Sequence, residues 1–362
     1  MKVLNLLLIF GIVAIVANLL GWNPLLVFVA SSLAMIPLAG LMGEATEVLA
    51  LRTGPRVGGL LNATLGNAAE LIITVMAIRE GILNPAINEH MLELVRASLT
   101  GSIMGNILLV LGLSVLVGGL RHGVQKFDRS HAGTNATMLL LAVAALVIPS
   151  IFSHSIETAN HDAVEYLSLG VAGVMILLYV LALIYQLRTP VAHGYEDDEY
   201  TAAKQEAPHW SVGKAGLVLL AATVAIVWMS ELLVGTLEHV VLELGISEFF
   251  LGIIIVPLIG NAAEHLVAVQ VALKNKMELS LAISVGSSLQ IALFVAPLLV
   301  FVSLLMGNPL TLVFNQFELI ALMAAVLIAG LVSLDGESNW LEGAMLLTIY
   351  VIIALAFFWL PM

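Results

Sequence analysis

The chain has no cysteine and little charge, and both absences exclude functions. Without cysteine there are no disulfides, thiolate metal sites or cysteine nucleophiles, and the nine histidines lack the paired spacing of a zinc site. The net charge of −12 argues against a nucleic-acid partner, because phosphate binding needs clustered Lys and Arg. No His-Glu-His pattern or serine–base pair is present, so an intramembrane enzyme is not favoured.

Apolar residues dominate what remains. The chain is 60% hydrophobic, has a mean hydropathy of +1.07 and is only 10% charged, whereas a soluble domain carries about a quarter charged residues. Roughly 20 apolar residues cross a bilayer. The sequence therefore predicts an all-α integral membrane protein with about eleven transmembrane helices, at 3–20, 24–50, 57–79, 91–119, 135–152, 163–187, 213–237, 249–273, 278–306, 316–333 and 341–360.

Basic residues predict how these helices cross the membrane. Of the 13 Lys and Arg residues, all but Arg79 and Arg96 fall on the same side as the N-terminus. The positive-inside rule then places the N-terminus in the cytoplasm and the C-terminus outside. The first apolar stretch, 3–20, has no small-residue cleavage site, so we expect a retained helix. The absence of a targeting extension favours a prokaryotic plasma (inner) membrane.

The polar connection at 188–212 is predicted to be cytoplasmic. It carries a compact acidic cluster, formed by Glu196, Asp197, Asp198 and Glu199. Two interpretations stay open: a solvated linker between two halves of the protein, or a regulatory cation sensor above the cytoplasmic entrance.

The string Gly-Asn-Ala-Ala-Glu occurs twice, at 66–70 and 260–264, and each copy lies in an apolar segment. A charge at the bilayer centre costs about 3 kcal/mol or more, so an acid there indicates a function by default. Glu70 and Glu264 are therefore predicted to bind a cation and to carry protons. The alternative is a pair of protonated glutamates that satisfy each other.

A second element follows each motif. Gly101-Ser102 and then Asn106 in the first half match Gly286-Ser287 and then Gln290 in the second. The predicted organisation is an extra N-terminal helix, two five-helix repeats and the acidic linker between them, with boundaries at 1–22, 23–187, 188–212 and 213–362. Because five is odd, the second repeat enters the membrane from the opposite side, which is the inverted-repeat pattern of secondary transporters.

The motif helices are expected to be broken, because Gly and Pro257 weaken helical hydrogen bonding near each Gly-Asn. Carboxylates, amides and hydroxyls would then form an oxygen-rich cage that suits calcium, which takes six to eight oxygen ligands, better than magnesium. The predicted ligands are Glu70, Glu264, Asn67, Asn261, Ser102, Asn106, Ser287 and Gln290. Two alternatives are helix packing for the serines and helix capping for the asparagines.

Other polar residues have less specific patterns. Glu44 is either a gating or proton-pathway residue or a simple interfacial charge. Glu318 and Asp335 are expected at the surface. His265 projects about 100° away from Glu264 around the helix, so it is expected either to transfer protons or to bond another helix.

The strings GLLNATLGNAAELI (59–72) and VPLIGNAAEHLVAVQVALKNKMELSLAISVGSSLQIALFVAP (256–297) resemble the signature repeats of the calcium/proton antiporters, within the calcium/cation antiporter superfamily. The resemblance implies eleven helices in two inverted repeats, a central site at Glu70 and Glu264, and an acidic segment between the halves. It departs from the sodium-coupled branch, which typically has hydroxyl residues before the motif glutamate, where this chain has alanines, and an acid where it has Gln290.

The expected function is therefore export of calcium, or a similar divalent cation, in exchange for protons by alternating access. The alternatives are a sodium/calcium-type exchanger and a passive cation channel. No cofactor is expected, since Ca²⁺ and H⁺ are the transported ions. The expected partners are membrane lipid, divalent cations and further copies of the chain in a homo-oligomer.

Overall fold

The computed structural model describes residues 4–53, 58, 61, 64–157, 163–188 and 210–360. Its α-helices in chain order are α1 (Ile9–Leu19), α2 (Pro24–Thr53), α3 (Ala68–Leu83), α4 (Asn88–Met104), α5 (Leu111–His122), α6 (Arg129–Glu157), α7 (Ala163–Arg188), α8 (Val212–Leu244), α9 (Glu248–Phe250), α10 (Val256–Gly260), α11 (Ala262–Leu273), α12 (Met277–Gln290), α13 (Ala296–Leu305), α14 (Gln316–Val332) and α15 (Trp340–Phe358). The predicted acidic cluster at 196–199 lies outside the described residues.

Shorter elements connect these helices. Short 3₁₀ turns occupy Leu4–Leu8 and Pro85–Ile87. Segments of π-helix join α4 to α5, α9 to α10 and α12 to α13, at Gly105–Val110, Leu251–Ile255 and Ile291–Val295. Two short antiparallel strands, β1 (Gln125–Lys126) and β2 (Glu337–Ser338), pair Gln125 with Ser338 and tie the start of α6 to the start of α15.

An all-α membrane protein is confirmed. Among the residues that the structure describes, seven helices are long and apolar enough to cross a bilayer, and a bent pair, Glu248–Gly260 with Ala262–Leu273, would make an eighth. Two further apolar helices, Leu4–Leu19 and Gln316–Val332, are shorter. The predicted number of eleven spans stays a prediction.

Several helices extend beyond their predicted apolar segments. The segment predicted at 135–152 is a helix from Arg129 to Glu157, and the one predicted at 213–237 runs from Val212 to Leu244. The additional residues at the helix ends include charged side chains such as Arg129 and Glu238. Such residues are tolerated in the helix ends, where side chains reach the interface.

Capping residues account for where individual helices begin and end. The side chain of Asn315 accepts a hydrogen bond from the backbone N–H of Phe317 at the start of α14. Asn339 and Glu342 form a complete capping box at the start of α15. Helix α8 stops at Gly245, whose φ of 62° lies in the left-handed region that glycine adopts without strain.

Helices α2 and α8 pack against each other in opposite directions. Asn23, just before α2, donates to Glu243 at the far end of α8 at 3.1 Å, while Met42 lies beside Thr223 in the first half of α8. The most buried helices are those that follow the two motifs, Pro85–His122 and Met277–Leu305. They too run in opposite directions, because Asn88 contacts Asn308 and Asn106 contacts Ser287.

Candidate cation-binding site

Both Gly-Asn-Ala-Ala-Glu motifs lie at helix breaks. In the first, Gly66 and Asn67 form a turn and α3 begins at Ala68. In the second, the axes on either side of Asn261 differ by 61°, so the predicted break is confirmed there. Each glutamate consequently falls in the first turn of a new helix, α3 or α11. The backbone N–H groups of a first turn have no partner within their own helix.

Each motif asparagine contacts the serine of the other half. The Ser287 hydroxyl donates to Asn67 Oδ1 at 2.9 Å, and Asn261 Nδ2 donates to the Ser102 hydroxyl at 3.2 Å. All four side chains are buried. The sequence repeats pair Asn67 with Asn261 and Ser102 with Ser287, so the two contacts are equivalent. The two motifs therefore meet at a single buried centre.

Glu70 lies at this centre and is 4% exposed. Its Oε1 accepts a hydrogen bond from the Ser102 hydroxyl at 3.1 Å. Its side chain also packs on Gly260 of the other motif, where an added Cβ would lie 2.9 Å from Glu70 Cγ. The carboxyl group interacts electrostatically with Glu264. Two acids from the two halves of the chain therefore face one shared space.

Glu264, the acid of the second motif, is partly buried, and its carboxyl group lies near Ser287. Two buried oxygens of this motif, Glu264 Oε2 and Asn261 Oδ1, accept no hydrogen bond from any residue that the structure describes. A buried polar atom without a partner costs about 1–3 kcal/mol, so an ion bound at these two oxygens would lower the free energy of the site. Carboxylate and amide oxygens of this kind are the ligands that hard cations take.

The remaining predicted ligands belong to the same hydrogen-bonded cluster. Asn67 Nδ2 donates to Gln290 Oε1 at 2.7 Å, and Asn106 Nδ2 donates to the Ser287 hydroxyl at 3.1 Å. His265 Nε2 lies 3.1 Å from Asn106 Oδ1, so this histidine bonds another helix at the edge of the cluster. All eight predicted ligands are thus in one connected region.

The sequence leaves other roles open for the residues near the motifs, such as helix capping for the asparagines, and the structure bears on each of them. Neither Asn67 nor Asn261 makes a side-chain N-cap hydrogen bond, although Asn261 Nδ2 also donates to the Pro257 carbonyl at 3.2 Å. Gly101 serves close packing, because a Cβ there would overlap the backbone of Ile253. Glu44 is half-buried in α2 and is not among the residues of the hydrogen-bonded cluster.

One expectation about an acid is wrong. Glu318 was expected at the surface, but it is 1% exposed, and its Oε2 lies 2.9 Å from the Thr100 hydroxyl. Its place at the start of an apolar segment suggested an interfacial position, whereas helix packing covers it. The cost of an acid in an apolar segment was the signal that would have identified it. Asp335 is exposed as expected.

Gly260→Ala tests the contact between the two motifs. The added methyl would lie 2.9 Å from Glu70 Cγ and 3.6 Å from Ile73 Cδ1, so the glutamate side chain must move. We expect the half-saturating calcium concentration for transport to rise about tenfold, because small displacements of ligands are costly. The matched control is Gly133→Ala, where no described atom beyond the adjoining backbone of its own helix lies within 4 Å of the added Cβ. Equal calcium affinity in both variants would contradict the shared space.

A multi-pass helical membrane protein with two acids in a buried, oxygen-rich cluster belongs to the class of cation transporters. The sodium/calcium exchanger protein family matches residues 23–188 and 214–359. A Ca²⁺/H⁺ antiporter of Aphanothece halophytica is 44% identical over 369 residues, covering 98% of this chain and 96% of that protein. The Ca²⁺/H⁺ antiporter ChaA of Bacillus subtilis is 44% identical and covers 95% of each chain.

The solved structure of native YfkE has the same fold. It matches with a TM-score of 0.83 and 42% identity, over 99% of this chain and 100% of that one. The chain therefore belongs to the calcium/proton antiporters of the sodium/calcium exchanger protein family.

Proposed function

We propose that this protein exchanges calcium for protons at the site formed by Glu70 and Glu264. The observation that carries the proposal is the pair of acids from opposite halves, in a buried cluster where Glu264 Oε2 and Asn261 Oδ1 have no partner among the described residues. The clustered oxygens suit a calcium ion, and the relatives named Ca²⁺/H⁺ antiporters support the same ion pair.

Calcium and protons compete for the same oxygens in this mechanism. When both glutamates are ionised, the two negative charges and the neutral amide and hydroxyl oxygens hold one calcium ion. When both are protonated, the charge that attracts calcium is gone and the ion leaves. Exchange of two protons for one calcium would keep the charge of the site equal in both forms. The two acids titrate as a coupled pair, because they share one space.

Alternating access would come from α2 and α8 sliding across the remaining helices. The antiparallel packing of these two helices, and that of Pro85–His122 against Met277–Leu305, supports two inverted repeats of five helices after an extra N-terminal helix. In this arrangement the eleven spans place the N-terminus in the cytoplasm and the C-terminus outside. Proton entry then drives calcium out of the cell.

Sodium is a less suitable counter-ion at this site. The residues before each glutamate are alanines, and Gln290 supplies a neutral amide that is bonded to Asn67. Fewer hydroxyl and acidic ligands leave less for a second cation to bind. A sodium/calcium-type exchanger is therefore the less supported of the two transport functions.

Purified protein in vesicles tests the coupling ion. We expect vesicles that are acidic inside, and so have an outward-directed proton gradient, to take up calcium. An outward-directed sodium gradient of equal size, with no pH difference, should drive no uptake. With equal pH on both sides, the half-saturating calcium concentration should rise as the pH falls, because protons then occupy the carboxylates. The measurement is ⁴⁵Ca²⁺ uptake over a series of calcium concentrations at each pH.

A counterflow control completes this experiment. Calcium counterflow from preloaded vesicles separates an antiporter from a passive channel, which would give flux but no counterflow. Uptake driven better by sodium than by protons would contradict the proposal and support the rival exchanger.

A further inference from the structure

Three consecutive residues of α4 contact three different parts of the molecule. The Thr100 hydroxyl lies 2.9 Å from Glu318 Oε2 in α14, and the Ser102 hydroxyl donates to Glu70 Oε1 in α3 at 3.1 Å. Between them, Gly101 lies against the backbone of Ile253, with no room for a Cβ. Because successive helical residues point about 100° apart, these contacts hold α4 from three sides at one level.

Glu318 joins the start of α14 to this level of α4. It is the third residue of α14, after the N-cap Asn315, and its carboxyl group also interacts with the Asn315 backbone. Arg96 and Glu93 interact with it electrostatically from α4. The buried carboxyl group in the first turn of α14 therefore contacts the helix that carries Ser102.

We propose that Glu318 is a positioning residue for the cation site. By holding Thr100, it fixes the rotation of α4 at which Ser102 presents its hydroxyl to Glu70. The inference rests on the proposed exchange at Glu70 and Glu264, and it adds a residue outside the cluster of ligands.

The contact with Thr100 persists in either protonation state of Glu318. An ionised carboxylate accepts a hydrogen bond from the Thr100 hydroxyl. A protonated carboxyl group donates to that hydroxyl, whose own proton then goes to the Ala97 carbonyl oxygen, 3.0 Å away. The hydrogen bond, rather than the charge, is thus the part of Glu318 that this role requires.

No equivalent bridge is found in the second half among the residues that the structure describes. Val285 stands two residues before Ser287, as Thr100 stands before Ser102, and it has no hydroxyl. It lines a cavity together with His131 and Glu278. The bridge through Glu318 is therefore specific to the first repeat, and replacing Thr100 by valine copies the arrangement of the second.

Thr100→Val tests the proposal in the full-length protein in vesicles. Valine has the shape of threonine but cannot bond Glu318. We expect the half-saturating calcium concentration to rise about threefold to tenfold, which corresponds to the loss of one hydrogen bond, while the maximal rate changes less than twofold. Thr100→Ser keeps the hydroxyl, so its half-saturating calcium concentration should equal that of wild type. Glu318→Gln should also stay near wild type, because its amide can donate or accept.

Asn315→Ala is the matched control, because it removes the helix cap of α14 and leaves Thr100 and Glu318 in place. It should lower the thermal unfolding temperature in detergent without changing the calcium dependence of transport. An unchanged half-saturating concentration in Thr100→Val would overturn the proposal, as would a Glu318→Gln variant that loses transport. Glu70→Gln in the same vesicles separates the two ideas: if that variant still exchanges calcium for protons, the central site itself is wrong.

Discussion

Glu70→Gln and Glu264→Gln should each abolish proton-driven calcium uptake, lowering the rate about a hundredfold or more. Each substitution keeps the size of the side chain but removes one of two negative charges from a buried site. Contacts made by a charged group contribute about 3 kcal/mol, so calcium affinity should fall about a hundredfold, and the uptake rate should fall with it. Each also removes a proton carrier, so a high calcium concentration should not restore coupled exchange. Calcium uptake under a pH gradient provides the measurement.

The control for these variants is Glu231→Gln. Glu231 forms an ion pair with Arg79 at 3.0 Å, and about half of each side chain is exposed to the surroundings. Exposed ion pairs contribute about 1 kcal/mol or less, so uptake should remain within about twofold of wild type. Coupled uptake retained in either Glu70→Gln or Glu264→Gln would refute the proposed central site.

Gly101→Ala should reduce both stability and transport, although alanine is the better helix former. The added Cβ would overlap the carbonyl oxygen of Ile253 and lie 2.8 Å from its Cα. Backbone atoms cannot rotate away, so α4 must move away from the segment Leu251–Ile255. We expect a loss of about 3 kcal/mol in stability, seen as a clear fall in the thermal unfolding temperature in detergent.

Gly105→Ala is the matched comparison, because it makes the same change four residues later. No described atom beyond the adjoining backbone of its own helix lies within 4 Å of the added Cβ at Gly105. Its unfolding temperature should equal or slightly exceed that of wild type. If both alanine variants unfold at the same temperature, Gly101 does not mark a close crossing of helices.

The repeated motif made most of the candidate site predictable. Both copies of Gly-Asn-Ala-Ala-Glu carry an acid into an apolar segment, and the cost of burying that acid is a property of the residue and of lipid. The following Gly-Ser elements supplied Ser102 and Ser287 by the same comparison. Local sequence was sufficient here because the two halves encode the same structure twice.

Other features depended on which helices become neighbours. The sequence predicts Glu318 at the surface, near the start of an apolar segment. Only the packing of α14 on α4 places its carboxyl group against Thr100. The exchange of partners between halves, with Asn67 on Ser287 and Asn261 on Ser102, likewise follows from packing. The segments of π-helix also had no recognised signal in the sequence.

The sequence by itself determined that the chain spans a membrane as helices, because lipid offers no hydrogen bonds and leaves the helix as the available structure for such apolar segments. It also determined which two acids lie within those segments. Tertiary structure alone decided that these acids share a space with oxygens that lack partners among the described residues, and that Glu318 is buried beside α4. The physical reason is that contacts between residues some 200 positions apart depend on how helices pack, which no local pattern of residues specifies.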